Sequence, residues 1–242
     1  MTTQYDGLVD GVARAEALSF RTYIEMYSVM VTLGDIRGKD VLDVACGDGL
    51  YSRRLRSWGA AKIVGVDISK ELINAAREME QKEPRGIEYH TYDVAKMPVL
   101  GAFDVVLAAY LLHYAESFEH MTQMCRAIYA NLKPGGRLVT VAANPEFNIR
   151  GPNCTKYGIT IRFNEPVKDG DRVFADVHVE PPFTLEVYHW CRATHERALA
   201  EAGFKNLTWV RPECSPEGLA KYGDFWKDYL ENPHAVLIAC EK

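Results

Sequence analysis

Between residues 41 and 142, short apolar runs rich in Val and Ile alternate with segments of helical periodicity, and this alternation restricts the fold more than any other feature of the chain. The runs fall at 41–45, 62–66, 87–92, 103–109 and 138–142. Continuously apolar runs of that length are the pattern of strands covered on both faces, as in a parallel sheet. Parallel neighbours need crossover connections. Helical patterns at 70–81, behind the candidate N-cap Ser69, and at 119–132, before Lys133-Pro134-Gly135-Gly136, supply them. The expected fold is α/β, a doubly wound open sheet whose ligand lies beyond the carboxyl ends of the strands, near the first strand where the winding reverses.

The flanks complete and cover this sheet. Leu18, Ile24, Met26, Val29, Met30 and Leu33 recur at helical spacing over 12–33, so 1–36 reads as a helical cover and 37–143 as the ligand-binding core. Residues 144–191 break the pattern with Asn144-Pro145, Gly151-Pro152 and Lys168-Asp169-Gly170-Asp171 among alternating segments at 159–163, 173–179 and 183–190, which predicts antiparallel hairpins. Over 192–242, a helix ending at Ala202 before Gly203 and strands at 204–210 and 235–240 bring the sheet to seven strands, mostly parallel. The expectation is a single domain over 1–242, with a β-hairpin insert before the last helix that covers the ligand end.

Of the 242 residues, 28 are Lys or Arg and 33 are Asp or Glu, a formal charge of -5. With no basic excess to displace phosphate counterions, nucleic acid is not an expected partner. The longest apolar run, 105–112, is far short of the roughly 18 residues that span a bilayer. The first twenty residues carry Asp6 and Asp10 and no apolar run, so no membrane association and no signal peptide are expected. Six scattered cysteines without a Cys-x-x-Cys pair predict reduced thiols, no metal site and a cytoplasmic protein. The expected assembly is a monomer or homodimer.

Val41-Leu42-Asp43-Val44-Ala45-Cys46-Gly47-Asp48-Gly49 runs a buried strand into a glycine turn and then a helix. Gly47 and Gly49 allow a sharp bend and a close backbone approach to a ligand. A dinucleotide fingerprint, Gly-x-Gly-x-x-Gly, needs a third Gly where this chain has Ser52, and Asp48 puts negative charge where a pyrophosphate would sit. That charge suits a ligand with a cationic or zwitterionic end. Asp67, in Val64-Gly65-Val66-Asp67-Ile68-Ser69, can accept both hydrogens of a ribose diol, and Asp93, in Tyr92-Asp93-Val94, can accept from an adenine amino group. Each alone reads equally well as a helix cap.

Together, Asp-x-x-Cys-Gly-x-Gly, Val-Gly-x-Asp-Ile-Ser, Asp-Val, Phe103-Asp104-Val105-Val106 and Leu132-Lys133-Pro134-Gly135-Gly136 resemble the class I S-adenosylmethionine-dependent methyltransferases in order and spacing, over essentially the whole chain. The resemblance implies a Rossmann-like sheet, S-adenosyl-L-methionine as cofactor, S-adenosyl-L-homocysteine as product and a small-molecule acceptor. It implies that Ala45, Cys46, Gly47 and Gly49 line the methionine part, with Tyr51 beside them. Asp67 would hold the ribose, Ile68 would pack on adenine, and Asp93 with Val94 would bind the adenine edge. Ala109 and Tyr110 would give backbone contacts, with His113 and Tyr114 at the mouth.

Gln4-Tyr5-Asp6, Lys156-Tyr157-Gly158 and Pro181-Pro182-Phe183 leading to Tyr188-His189-Trp190 look like the toxoflavin synthase type, which methylates ring nitrogens. This closer resemblance implies cofactor contact by Tyr5 and a small, planar, polar acceptor, with Tyr157, Phe183, Tyr188 and Trp190 as its wall.

Several of these residues have plainer readings. Tyr5, Tyr23 and Tyr27 either turn an aromatic face to the sulfonium or pack a helix on the sheet, and Tyr5 is assigned to the cofactor, Tyr27 to packing, with Tyr23 fitting both. Arg21 either forks onto the cofactor carboxylate or is solvated. Of His113, His178, His189 and His195, the candidate general bases are His113 and His189, while His195 reads as structural or exposed. Arg53-Arg54-x-Arg56 reads as a solvated face. Because a sulfonium already activates its methyl group, alignment is the main task, and the lack of a His/Asp pair favours a ring or amine nitrogen as acceptor. The alternatives are O-methylation of a sugar or phenol by a His base and, in a different class, a non-catalytic cofactor-binding sensor or partner subunit.

Overall fold

The computed structural model describes residues 4, 5 and 7–242; Asp6 of the N-terminal tripeptide lies outside the described residues. At its centre β1 (Asp40–Val44) pairs in parallel with β2 (Lys62–Asp67) and β4 (Phe103–Ala109). Parallel pairing continues outward to β3 (Ile87–Thr91) on one side and β5 (Leu132–Ala143) on the other. β10 (Ala235–Glu241) lies antiparallel between β5 and β9 (Lys205–Val210). The order β3-β2-β1-β4-β5-β10-β9 has its switch point between β1 and β4, where an open sheet leaves a crevice at the strand ends.

Successive side chains on a strand point to opposite faces, so each buried strand feeds two cores. Leu42, Val44, Val64, Val66, Val106 and Ala108 join the layer of α5 (Phe118–Asn131) and α6 (Arg192–Ala202). Val41, Ile63, Val105 and Leu107 join that of α2 (Met26–Leu33), α3 (Leu50–Ser57) and α4 (Lys70–Lys82). Burying each of the larger side chains contributes about 1.5–3 kcal/mol, which explains why the strands read as continuous apolar runs. Ser69 caps α4, accepting from the Leu72 N–H at 3.3 Å.

The structure departs from expectation in two places. The helical pattern over 12–33 divides into α1 (Val9–Glu16), a π-helical turn (Arg21–Glu25) and α2. In the wider π turn the Met26 N–H bonds the Arg21 carbonyl, and Arg21 and Glu25 come together on one side. The hairpin insert also does not precede the last helix. It forms a separate antiparallel sheet of β6 (Ile159–Arg162), β7 (Arg172–Val177) and β8 (Phe183–Tyr188), and α6 is followed by α7 (Pro216–Tyr222) and α8 (Lys227–Glu231). α7, the 3₁₀ turn Gly223–Trp226 and α8 together bring Trp226 and Tyr229 into a third core with Phe20, Ile24, Cys154 and Tyr157. Their start carries a sequence signal, Ser215 capping the Gly218 N–H with Pro216 in the first turn.

Gly49, the N-cap of α3, has φ +88°, and a Cβ there would run into the Tyr89 hydroxyl and ring. Gly49→Ala is expected to destabilise the protein by about 2–4 kcal/mol, from left-handed strain plus overpacking. Tyr89→Phe in the same chain should recover part of the loss. Urea denaturation of both variants checks this, and a loss no larger for Gly49→Ala alone than for the pair removes the clash as the cause.

Candidate active site

The carboxyl ends of β1, β2 and β4 and the start of α3 open on a cavity of about 1200 Å³, larger than the roughly 300–1,000 Å³ that suits one small ligand. At its inner end the chain turns sharply after β1, with positive φ at Ala45 (57°) and Gly47 (58°), and the Cys46 N–H bonds the Val66 carbonyl at 3.0 Å. A Cβ on Gly47 would project into open space. Asp67, at the end of β2, accepts from the Gly47 N–H at 2.9 Å with Oδ2 and from the Ser69 N–H at 2.8 Å with Oδ1. Burial raises its pKa, and the backbone donors pull the other way. Ala45, Cys46, Gly47, Tyr51, Asp67, Ile68, Asp93, Val94, Ala109 and Tyr110 all line this end. Ile68 keeps 41% of its surface open. Asp93 caps the short turn after β3, accepting from the Ala95 N–H at 3.0 Å, and pairs with Lys96 at 3.1 Å.

Arg21 lines the same end and lies 2.9 Å from the buried Glu25 carboxylate. Tyr5 also reaches the cavity, its hydroxyl in a short hydrogen bond with that of Tyr114. The N-terminal segment is tied down on both sides of this contact. The Gln4 side-chain amide exchanges two hydrogen bonds with the Glu186 backbone in β8, at 3.0 and 2.9 Å, and the Gly7 N–H bonds the Glu71 carboxylate of α4 at 2.8 Å.

The outer end is walled by the three-stranded sheet. Its inward rows are apolar, with Ile159 opposite Val177, Ile161 opposite Ala175, Val173 opposite Val187 and Phe183 opposite Val177. The other face carries Thr160, Asp176 and Thr184, with Phe174 under Arg162. Tyr188, His189 and Trp190 also line the cavity, and the Trp190 indole N–H bonds the Ala115 carbonyl at 3.1 Å. Four further histidines face this space, His113, His120, His195 and His234. Burial pushes His113 and His234 down to about 3, so both are neutral near neutrality. His195 and His189 are lowered as well, the latter against the pull of Asp169 and Asp171.

Three residues expected at the ligand site lie outside the cavity. Tyr23 packs beside Tyr222 and Trp226 outside the cavity. Tyr157 is buried and stacked on Trp226, its hydroxyl bonded to the Phe225 carbonyl at 2.5 Å, because the third core takes its ring. Gly49 does not line the cavity and is instead required by the turn and by Tyr89. His195, buried with its Nδ1 3.1 Å from the Cys191 carbonyl oxygen, fits the structural reading and not the exposed one, and it also faces the cavity. The charge of Asp48 is not presented to the cavity: it caps the Leu50 N–H at 3.2 Å and sits 3.7 Å from Arg53. Nor are Arg53 and Arg56 a solvated face, since Arg53 also donates to the Asp48 carbonyl and Arg56 to those of Ala60, Ala61 and Gly86. His178 is exposed and bonds Thr160.

Sequence reasoning missed Glu16, Glu25, His120 and His234. Only contact across the fold marks them, although an acid inside the apolar stretch Tyr23-Ile24-Glu25-Met26 is a signal in itself. Among the described residues no cluster of three His, Cys, Asp or Glu side chains is placed to hold a metal ion, and no helix is long and apolar enough to cross a membrane.

Residues 41–136 match the methyltransferase domain family. An uncharacterized protein of Haemophilus influenzae is 26% identical over 241 residues, 95% of this chain and 91% of that protein. A ubiquinone biosynthesis O-methyltransferase of Coxiella burnetii is 34% identical over 113 residues, 46% of this chain and 47% of its own length. In fold, the chain is similar to an S-adenosylmethionine-dependent methyltransferase from Mesorhizobium loti, with TM-score 0.63 and 19% identity over 97% of this chain and all of the other. The switch-point cavity, the glycine turn and the matched domain define a methyltransferase built on a Rossmann-like sheet. Residues 41–136 thus form a methyltransferase domain, and the chain resembles the class I S-adenosylmethionine-dependent methyltransferases, whose cofactor is S-adenosyl-L-methionine.

Glu16, at the end of α1, gives the site a measurable pH signature. Burial and the neighbouring Asp48 raise its pKa to about 8, so the folded protein holds a proton that the unfolded chain releases above the ordinary carboxyl range. Stability from this group is complete at low pH and is lost as pH rises toward about 8. The lowered histidines act oppositely, their contribution vanishing as pH falls toward about 3. Glu16→Gln removes only the first effect. The melting temperature of the wild type minus that of the variant should therefore fall from about pH 5 to about pH 8; a flat difference contradicts the assignment.

Proposed function

We propose that the protein transfers the methyl group of S-adenosyl-L-methionine to a ring or amine nitrogen of a small, planar, uncharged acceptor. The observation that carries this reading is the two-ended cavity: carboxylates, Arg21, bare backbone and the neutral imidazoles of His113 and His234 at the strand ends, and an apolar wall opposite. The cofactor supplies an electrophilic methyl on a sulfonium. Asp67 accepts from the ribose diol while its own bonds to Gly47 and Ser69 keep the carboxylate fixed. Ile68 covers one face of adenine, and Asp93 with Val94 reads its edge. Ala45, Cys46, Gly47, Ala109 and Tyr110 border the methionine part beside Tyr51, and Arg21 takes its carboxylate. The Tyr5–Tyr114 pair closes the mouth from the N-terminal side.

On the acceptor side, Phe183, Tyr188 and Trp190 stand against a flat body, while no Lys or Arg reaches the inward rows of the wall. That arrangement suits the planar heterocycle implied by the resemblance to the toxoflavin synthase type. None of the described cavity histidines hydrogen-bonds a carboxylate, so no dyad is assembled to strip a hydroxyl. A nitrogen lone pair needs only alignment and exclusion of water. A second reading, O-methylation of a phenol, falls to His189, which lines the cavity under the pull of Asp169 and Asp171; His113, lowered to about 3, is too weak a base for that step at neutral pH.

The test joins binding to product identity. Asp67→Ala, which removes a charged hydrogen-bond acceptor, should weaken S-adenosyl-L-homocysteine binding by about tenfold or more in calorimetry while circular dichroism stays native. Unchanged affinity contradicts the placement. Mass spectrometry of products from paired panels of nitrogen heterocycles and phenols then decides the acceptor atom, methylated phenols alone favouring the second reading.

A further inference from the structure

Glu25 is an acid inside an apolar stretch of sequence, and the fold keeps it inside, 4% exposed. It does not line the cavity, but its three partners do. Glu25 Oε1 accepts from the Tyr51 hydroxyl at 2.5 Å, Oε2 accepts from the Tyr110 hydroxyl in a short bond, and the Arg21 Nη1 lies 2.9 Å from Oε1. These groups come from three places: the π-helical turn, the first turn of α3 directly after the glycine turn, and the residue following β4. One carboxylate thus joins the N-terminal cover to both sides of the switch point.

Each partner would be poorly held without it. Arg21 keeps 19% of its side chain open although it sits deep in the molecule, and its Nε is buried without a partner. A long side chain in that position loses rotamer freedom only if something fixes it. Tyr110 has φ +63°, a left-handed backbone that costs a bulky residue about 1–2 kcal/mol and persists only where its surroundings dictate it. The Tyr110 N–H bonds Val141 and its hydroxyl bonds Glu25, so the residue is anchored at both ends.

We propose that Glu25 is a positioning residue that holds Arg21, Tyr51 and Tyr110 as one preformed wall for the amino-acid end of the cofactor. Arg21 takes the carboxylate, and Glu25 touches neither cofactor nor acceptor. The inference rests on the cofactor placement given above. A preformed wall avoids ordering these side chains on binding, which is how a residue behind a site strengthens affinity. A carboxylate whose oxygens already accept from two hydroxyls and a guanidinium has little capacity left to compete with the ligand for Arg21.

Glu25→Gln keeps the shape, replaces one acceptor oxygen with a donor and removes the charge. The matched probes are S-adenosyl-L-homocysteine and 5′-methylthioadenosine, both neutral thioethers on the same nucleoside, of which only the first has the amino-acid end. Calorimetry on the full-length variant should show affinity for the former weakened about tenfold and for the latter changed less than about twofold. KM for S-adenosyl-L-methionine should rise with kcat at saturating cofactor changed less than about twofold. Equal weakening of both probes would mean a merely structural role, and unchanged or tighter S-adenosyl-L-homocysteine binding would mean that Glu25 does not position Arg21. Either result overturns the proposal. Wild-type protein that binds 5′-methylthioadenosine as tightly as S-adenosyl-L-homocysteine would instead overturn the cofactor placement itself. Should Glu25→Gln fail to fold, Tyr51→Phe removes one hydroxyl and should give a three- to fivefold loss confined to S-adenosyl-L-homocysteine; no selective loss counts against the proposal.

Discussion

The Asp67 carboxylate is the interaction on which the rest of the site depends. It ends β2 and accepts from Gly47 in the turn after β1 and from Ser69 at the N-cap of α4, so one side chain fixes the relation of two strand ends and a helix. With the Cys46 N–H bond to the Val66 carbonyl and the Gly49 N–H bond to the Cys46 carbonyl, it sets the shape of the glycine turn, from which the positions of Cys46, Gly49 and Tyr51 follow. Behind the turn, Ser52 donates to the buried Asp43 at 2.6 Å and ties α3 back to β1. Burial lifts the Asp43 carboxyl to about 7, which makes this a second polar contact maintained inside the sheet.

The remainder of the molecule divides the crevice into two environments. The main sheet supplies polar backbone and carboxylates at its strand ends, as any doubly wound sheet does at its switch point. The small antiparallel sheet supplies the apolar wall, and the segment before α1, through Gln4 and Gly7, together with α1, through the close packing of Gly11 against Phe183, bridges the two. Polar and apolar ligands, or the two ends of one reacting pair, are thereby sorted by position. His113, against Tyr110 and Tyr114, and His234, near Arg21, stand at the strand ends and are kept neutral by burial.

How much of this was legible in the sequence varies with the range of the contact. The strands of the main sheet were, because burial on both faces leaves unbroken apolar runs, and β4 falls on its expected residues. So was the glycine turn, whose chemistry is local. The π turn was not: α1, the turn and α2 share one apolar periodicity, and the extra residue in the turn leaves no mark on that pattern. Tyr157 looked like acceptor wall from its motif, yet the late helices that claim its ring lie some seventy residues away. Glu16 and His234 gain their surroundings only from tertiary packing, so no spacing rule could have selected them.

A crystal structure with S-adenosyl-L-homocysteine tests the account most directly. The ribose hydroxyls are expected on the Asp67 carboxylate, the amino-acid end against Arg21, and the sulfur facing the apolar wall of β6, β7 and β8. A nucleoside bound elsewhere, or a sulfur turned away from that wall, would contradict it.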